Sequence, residues 1–218
     1  MTRRKRGQPG GKSGRSRRTT GGDTVGLRII GGRFRGRKLL YGGDRRVRPM
    51  KDRVREALFN LIGPRIRQKH AVDLFAGTGA LGLEAISRGA VRATLIEQHY
   101  PTAAILRRNV AALEIDEIVH IVTADVFVWA ARKPELSGDP WVVFSSPPYD
   151  FYVDRADEML GLIGRLMESA PAESIFAVEA DRRFDFTQLP DATAWDVRTY
   201  PPATVGVWRK PALDGGDS

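Results

Sequence analysis

From residue 70 onward, short apolar runs alternate with stretches of helical period. Ala71-Val72-Asp73-Leu74-Phe75 reads as a strand that ends in a glycine turn, and residues 80–88 follow as a helix. Residues 93–96 form a second predicted strand. Pro101 opens a helix to about Leu113, a place where the ring costs no hydrogen bond. A third strand over 118–122, a short helix over 126–132, a fourth strand over 141–144, a helix over 156–167 and a fifth strand over 174–179 complete the alternation. Residues 194–200 and 204–209 close it as a final pair. Strands alternating with helices predict an α/β fold, a mostly parallel sheet covered on both faces.

The first third has a different texture. Leu27-Arg28-Ile29-Ile30, then Gly31-Gly32, then residues 33–41 read as short strands joined by glycine turns, a small β-hairpin. A helix of about a dozen residues follows from near Lys51. Its Val54, Leu58, Leu61 and Ile62 fall at i, i+4, i+7 and i+8 on one face, Arg53 and Arg55 fall away from it, and Gly63-Pro64 stops it. Residues 1–24 are Arg, Gly, Ser and Thr with almost nothing apolar and read as a disordered basic tail; 211–218 read as a second tail. The expected organisation is thus an extension over 25–66 and a main domain over 67–210. Gly10-Gly11-Lys12-Ser13 imitates the end of a P-loop, but Arg6 stands where the motif needs its first glycine and no strand precedes it.

Composition narrows the class. The 218 residues are 42% hydrophobic and 28% charged, which suits a globular chain with a proper core. No apolar run approaches the roughly 18 residues of a membrane span, and the basic N-terminus lacks the apolar middle of a secretory signal. With Cys 0, disulfides, thiolate zinc sites and cysteine nucleophiles are excluded. His70, His99 and His120 are scattered, so no metal is expected. A cytoplasmic protein fits these exclusions. The charge is polarised: residues 1–70 hold 22 of the 35 Lys+Arg and 4 of the 26 Asp+Glu, whereas the remainder is net acidic. Such a basic end is built to meet polyanions, nucleic acid above all.

Candidate chemistry lies where strands end. Asp73-Leu74-Phe75-Ala76-Gly77-Thr78-Gly79 joins a strand to a helix, the place where α/β sheets take nucleotides, and its glycines let backbone approach a ligand closely. Glu97 ends the next strand 18 residues after Gly79, where a carboxylate accepts from ribose hydroxyls. Asp125, after the third strand, is placed for an adenine amino group. Together the three describe an adenosine pocket. After the fourth strand comes Ser145-Ser146-Pro147-Pro148-Tyr149. Two prolines stiffen the backbone and remove two donors, leaving the carbonyls before them as rigid acceptors beside an aromatic ring. That suits a planar base with an exocyclic amino group.

These residues resemble the Rossmann-like class I methyltransferases that use S-adenosyl-L-methionine. They resemble in particular the RsmD-like bacterial family, which methylates a guanine N2 amino group in small-subunit ribosomal RNA. The resemblance runs from about Leu27 to Arg209. It rests on Arg28-Ile29-Ile30-Gly31-Gly32, Arg35-Gly36-Arg37-Lys38-Leu39, Arg48-Pro49, residues 52–60, residues 73–85 and Thr94-Leu95-Ile96-Glu97. It implies a seven-stranded sheet, with Asp73, Phe75, Gly77 and Gly79 on the methionine side of the cofactor. Glu97 would hold the ribose and Asp125 the adenine edge, Thr78, Gln98 and Val126 would also bind the cofactor, and Ser146, Pro147, Pro148 and Tyr149 would hold the target guanine. Arg33, Arg35, Arg37, Lys38, Arg48, Arg53 and Arg55 would grip phosphates of ribosomal RNA, free or within an assembling particle. Two positions depart from the family pattern: Ser146 stands where Asp or Asn usually opens the tetrad, and Met50 where a threonine follows Arg-Pro. Ser-Pro-Pro-Tyr also fits a DNA amino-methyltransferase acting on cytosine N4 or adenine N6. An inactive RNA-binding assembly factor is a third reading.

Overall fold

A computed structural model describes residues 1, 26–43 and 50–212. Seven strands form one sheet: β1 (His70–Asp73), β2 (Arg92–Ile96), β3 (Val119–Val122), β4 (Trp141–Ser145), β5 (Ile175–Asp181), β6 (Asp196–Tyr200) and β7 (Ala203–Arg209). Their order is β3-β2-β1-β4-β5-β7-β6. All neighbours pair in parallel except β7, which runs antiparallel to both β5 and β6. Each predicted strand of the main domain is present, with ends shifted by a residue or two. The first three strands march outward from β1, and β4 then returns to its other side, so the order of strand addition reverses between β1 and β4. Open α/β sheets bind ligands in the crevice at such a switch point, beyond the carboxyl ends of the strands.

Apolar cores flank the sheet. One packs α1 (Asp52–Ile62), α2 (Ala80–Ser87) and α3 (Tyr100–Ala112), with Leu27, Ile29 and Leu39 of the N-terminal segment in the same cluster. The other packs α4 (Val126–Ala131), α5 (Phe151–Asp154) and α6 (Ala156–Ser169). The short α5 is an element the sequence pattern did not announce.

The N-terminal segment corrects two expectations. Residues 27–41 fold back on themselves, Ile29 N donating to Arg37 O at 3.0 Å and Leu39 N to Leu27 O at 2.7 Å. Yet they form a single bridge, Arg28 with Lys38, rather than paired strands. The reason is where the backbone donors go. Ile30 N and Gly31 N each donate to the Glu84 carboxylate at 2.7 Å, Arg33 N to Ser87 O and Phe34 N to Ser87 Oγ. The segment is thus a cuff fastened to α2. Gly32 permits this: its φ is +74° and a Cβ would lie 1.9 Å from Ser87 O.

The second correction is Arg55. Placed by its spacing away from the apolar face, it is fully buried. Its Nη2 donates to Arg28 O and to Asp52 Oδ1, and its Nε lies 4.0 Å from the equally buried Glu84 carboxylate. Burial lowers its pKa, opposed by the charges of Glu84 and Asp52. The N-terminal segment covers the helix side that would otherwise meet solvent, so Arg55 locks α1 to that segment and to α2. It cannot also grip RNA.

Candidate active site

At the carboxyl ends of β1 to β5 lies a cavity of about 1000 Å³. Its walls bring together residues scattered over the chain. Asp73, Phe75, Gly77, Thr78, Glu97, Gln98, Asp125, Val126 and the turn from Ser146 to Tyr149 all line it. Of the residues assigned to this pocket by sequence, only Gly79 stands behind the wall. There it N-caps α2 at φ +95°, and a Cβ would strike Leu106 Cδ1 at 2.6 Å.

Each acidic residue is held by backbone donors. Glu97 Oε2 accepts from Gly77 N at 2.9 Å and Oε1 from His99 N at 2.7 Å, which ties the glycine turn to the end of β2. Asp125 Oδ1 accepts from Phe127 N and Val128 N, capping α4. Asp73 is 1% exposed; its Oδ2 accepts from Gly82 N at 3.0 Å, and its Oδ1 is buried with no hydrogen-bond partner. Burial pushes its pKa up to about 7, against the pull of the Gly82 and Phe75 N–H groups, and the Glu97 charge adds to the rise. An ionisable group held at such a value in a cavity is typical of a working site.

An aromatic wall stands opposite. Phe75 meets Phe151 edge-on at 5.8 Å and Phe127 stacks on Phe151 at 6.3 Å, with the Arg155 guanidinium 4.0 Å over the Phe127 ring. Phe127 and Phe151 both face the cavity and neither was singled out from sequence. Met50 and Lys51, just before α1, and Val54 within it reach the rim. At another edge Arg183 bridges Asp150 and Asp181, at 2.9 Å from each.

The turn after β4 has a partner that sequence reasoning missed. Glu179, on β5 and 5% exposed, accepts the Ser146 hydroxyl on Oε2 and the Tyr149 hydroxyl on Oε1 at 2.9 Å. The sequence signal was a lone carboxylate inside the apolar run 175–180; in the fold the register that sets Ser145 opposite Val178 brings it beside Ser146.

The basic residues divide. Arg33, Arg35, Arg37, Lys38 and Arg53 are exposed. Arg33 packs its guanidinium over Phe34, and Arg37 donates to the carbonyl of Ala112. Arg48 lies outside the described residues. Among the described residues no group of three His, Asp or Glu is arranged to hold a metal ion, and no helix is long and apolar enough to cross a membrane.

Residues 27–203 match the model of the family described as conserved hypothetical protein 95. The chain belongs to this family. Within it, 124 residues are 44% identical to the ribosomal RNA small subunit methyltransferase D of Escherichia coli strain K12, over 56% of this chain and 60% of that protein. The namesake from Haemophilus influenzae is 36% identical over 63% of this chain and 70% of its own length. The chain thus spans under two thirds of the length of the E. coli relative. A solved structure of a putative methyltransferase from E. coli superposes with a TM-score of 0.71 at 31% identity, covering 86% of this chain and 99% of that one. The fold is therefore the Rossmann-like class I methyltransferase fold, as the family resemblance implied.

Proposed function

We propose that this protein transfers a methyl group from S-adenosyl-L-methionine to the exocyclic N2 amino group of a guanine in small-subunit ribosomal RNA. The observation that carries the reading is the junction within one cavity of an acid-lined glycine turn and a proline-stiffened acceptor turn. The E. coli and H. influenzae relatives are named ribosomal RNA small subunit methyltransferase D, which supports methyl transfer to that RNA.

The residues fit the cofactor. It is cationic at its sulfonium and its ammonium, and Asp73 Oδ1 is a buried acceptor without a donor. Asp73 and the glycine turn would hold the methionine end, Glu97 and Gln98 the ribose, and Asp125 and Val126 the adenine, with Phe127 and Phe151 as apolar wall. The cavity is at the upper end of the size common for ligand pockets. When bound, the cofactor supplies a methyl carbon open to in-line attack, the carbon–sulfur electron pair returning to sulfur as a thioether.

The rest is positioning. A guanine amino lone pair is delocalised into the ring and attacks poorly. The Ser146 hydroxyl and the Pro147 carbonyl would accept its N–H groups and turn the lone pair toward the methyl, while Tyr149 stacks on the base. Orientation of this kind is worth several kcal/mol. The exposed Arg33, Arg35, Arg37, Lys38 and Arg53 would hold phosphates, and Lys51 at the rim would meet the strand entering the site. The target base must be unstacked to reach the cavity, which favours a loop or an accessible residue of a structured RNA. The reaction then belongs in the cytoplasm, on ribosomal RNA or an immature small subunit.

Labelled cofactor incubated with ribosomal RNA, immature small subunits and duplex DNA tests this. Label in RNA, mapped as N2-methylguanine by mass spectrometry of digests, is the expected result. Label in DNA alone would replace the RNA reading with a DNA amino-methyltransferase.

A further inference from the structure

The acceptor turn opens with a serine, and a hydroxyl is an ambiguous choice for that place. It both donates and accepts, and its proton rotates to suit its surroundings. Glu179 removes the ambiguity. A carboxylate only accepts, so the Ser146 proton is committed to Oε2 and the Tyr149 proton to Oε1. Glu179 comes from β5, the strand beside β4, and its position at the cavity wall is 5% exposed. Its charge is also felt by the buried Tyr152 next to the turn.

We propose that Ser146 and Glu179 work as one acceptor unit that directs the target amine, Ser146 Oγ meeting the amine and Glu179 acting as the positioning residue. With its proton turned to Glu179, Ser146 Oγ offers the cavity lone pairs only. It then has the character of the amide or carboxylate oxygen that the family pattern usually places there. The neighbouring carboxylate also makes that oxygen a stronger acceptor. Gaining the methyl leaves the amine nitrogen with a surplus proton and a positive charge. Ser146 Oγ takes that proton as its own passes to Glu179 Oε2, so serine is unchanged, the amine neutral and Glu179 protonated until water removes the proton. This inference rests on the methyltransferase reading above.

The test is a set of variants at the two positions. Glu179→Gln keeps the shape but offers an amide donor, which frees the serine proton to swing toward the amine. Its kcat should fall about 100-fold, the scale of losing one oriented polar group in a site, with KM for RNA little changed. Ser146→Ala should lose a similar factor. The double variant S146A/E179Q should be no worse than the weaker single, since both remove the same unit. S146N/E179Q should recover about tenfold or more over E179Q, because an asparagine carbonyl accepts without a carboxylate behind it. Calorimetry with S-adenosylhomocysteine should give unchanged affinity for every variant. Guanosine binding to the S-adenosylhomocysteine complex, followed by NMR, should weaken in E179Q and S146A and return in S146N/E179Q.

Full turnover in E179Q, losses that multiply in S146A/E179Q, or no recovery in S146N/E179Q would each overturn the pairing. If E179Q does not fold, single variants decide: S146A at wild-type turnover overturns the proposal, and S146A defective beside an active S146N supports it. A wild-type protein that methylates no RNA would remove the methyltransferase reading instead, and the guanosine series would still judge the pair.

Discussion

Asp73 shows how much one side chain gives up for the site it serves. Its carboxyl is buried with one oxygen unpaired, and its pKa stands at about 7 against the ordinary value of 3.8. The folded state therefore holds a proton that the unfolded chain has released between about pH 4 and 7. Stability falls as pH rises through that window and levels above it. A rise from 3.8 to about 7 corresponds to about 4 kcal/mol at most. Asp73→Asn should accordingly stabilise the ligand-free protein at pH 8 but hardly at pH 4, measured by denaturant unfolding at each pH, while weakening S-adenosylhomocysteine binding. A cationic ligand favours the ionised form, so wild-type cofactor affinity should decline as pH drops below 7. Tyr149→Ala should cut turnover strongly and leave cofactor affinity nearly intact in calorimetry; equal losses in both would make the ring a structural element. The residues most legible from sequence were those at strand ends, because a short polar residue after an apolar run has little else to do. Glu179 was hidden inside Phe176-Ala177-Val178-Glu179-Ala180, where it reads as a strand residue like its neighbours. Only the pairing of β5 with β4 reveals what it faces.

At the scale of elements, periodicity located the helices and strands of the main domain because each buries a face that the pattern must mark. The N-terminal segment escaped the same reasoning. Its alternation is strand-like, yet its donors go to Glu84 and Ser87 of α2, partners more than 50 residues away. No local rule foresees that. The same long-range packing turned Arg55 from a surface cation into a buried one. Two glycines test this arrangement. Gly32→Ala should cost at least about 2 kcal/mol, since the methyl would meet Ser87 backbone as well as a strained φ. Gly36→Ala, at φ +85° with open space around it, should cost only about 1 kcal/mol. Arg55→Ala should cost about 2–5 kcal/mol by emptying a fully buried site and leaving Arg28 O and Asp52 without their donor, while Glu84 keeps Arg88 and two backbone N–H groups. Thermal melts of the three variants rank them directly.

For the molecule as a whole, charge polarity was the plainest message in the sequence and it survives in the fold as exposed arginines on the N-terminal segment. Reversing Arg35 and Arg37 to Glu should weaken RNA binding and flatten its dependence on log salt by about one unit for each phosphate no longer neutralised. An unaltered slope in filter-binding titrations would move the RNA interface elsewhere. Three hydrogen bonds from one amide relate that segment to the rest: Asn109 of α3 accepts from Leu40 N, donates to Leu40 O at 3.1 Å and donates to Thr78 O at 2.9 Å. The basic arm and the cofactor turn therefore hang from a common peg. Loosening either one therefore removes a hydrogen-bond partner from a side chain that the other shares, which ties the exposed basic face to the rim of the cavity.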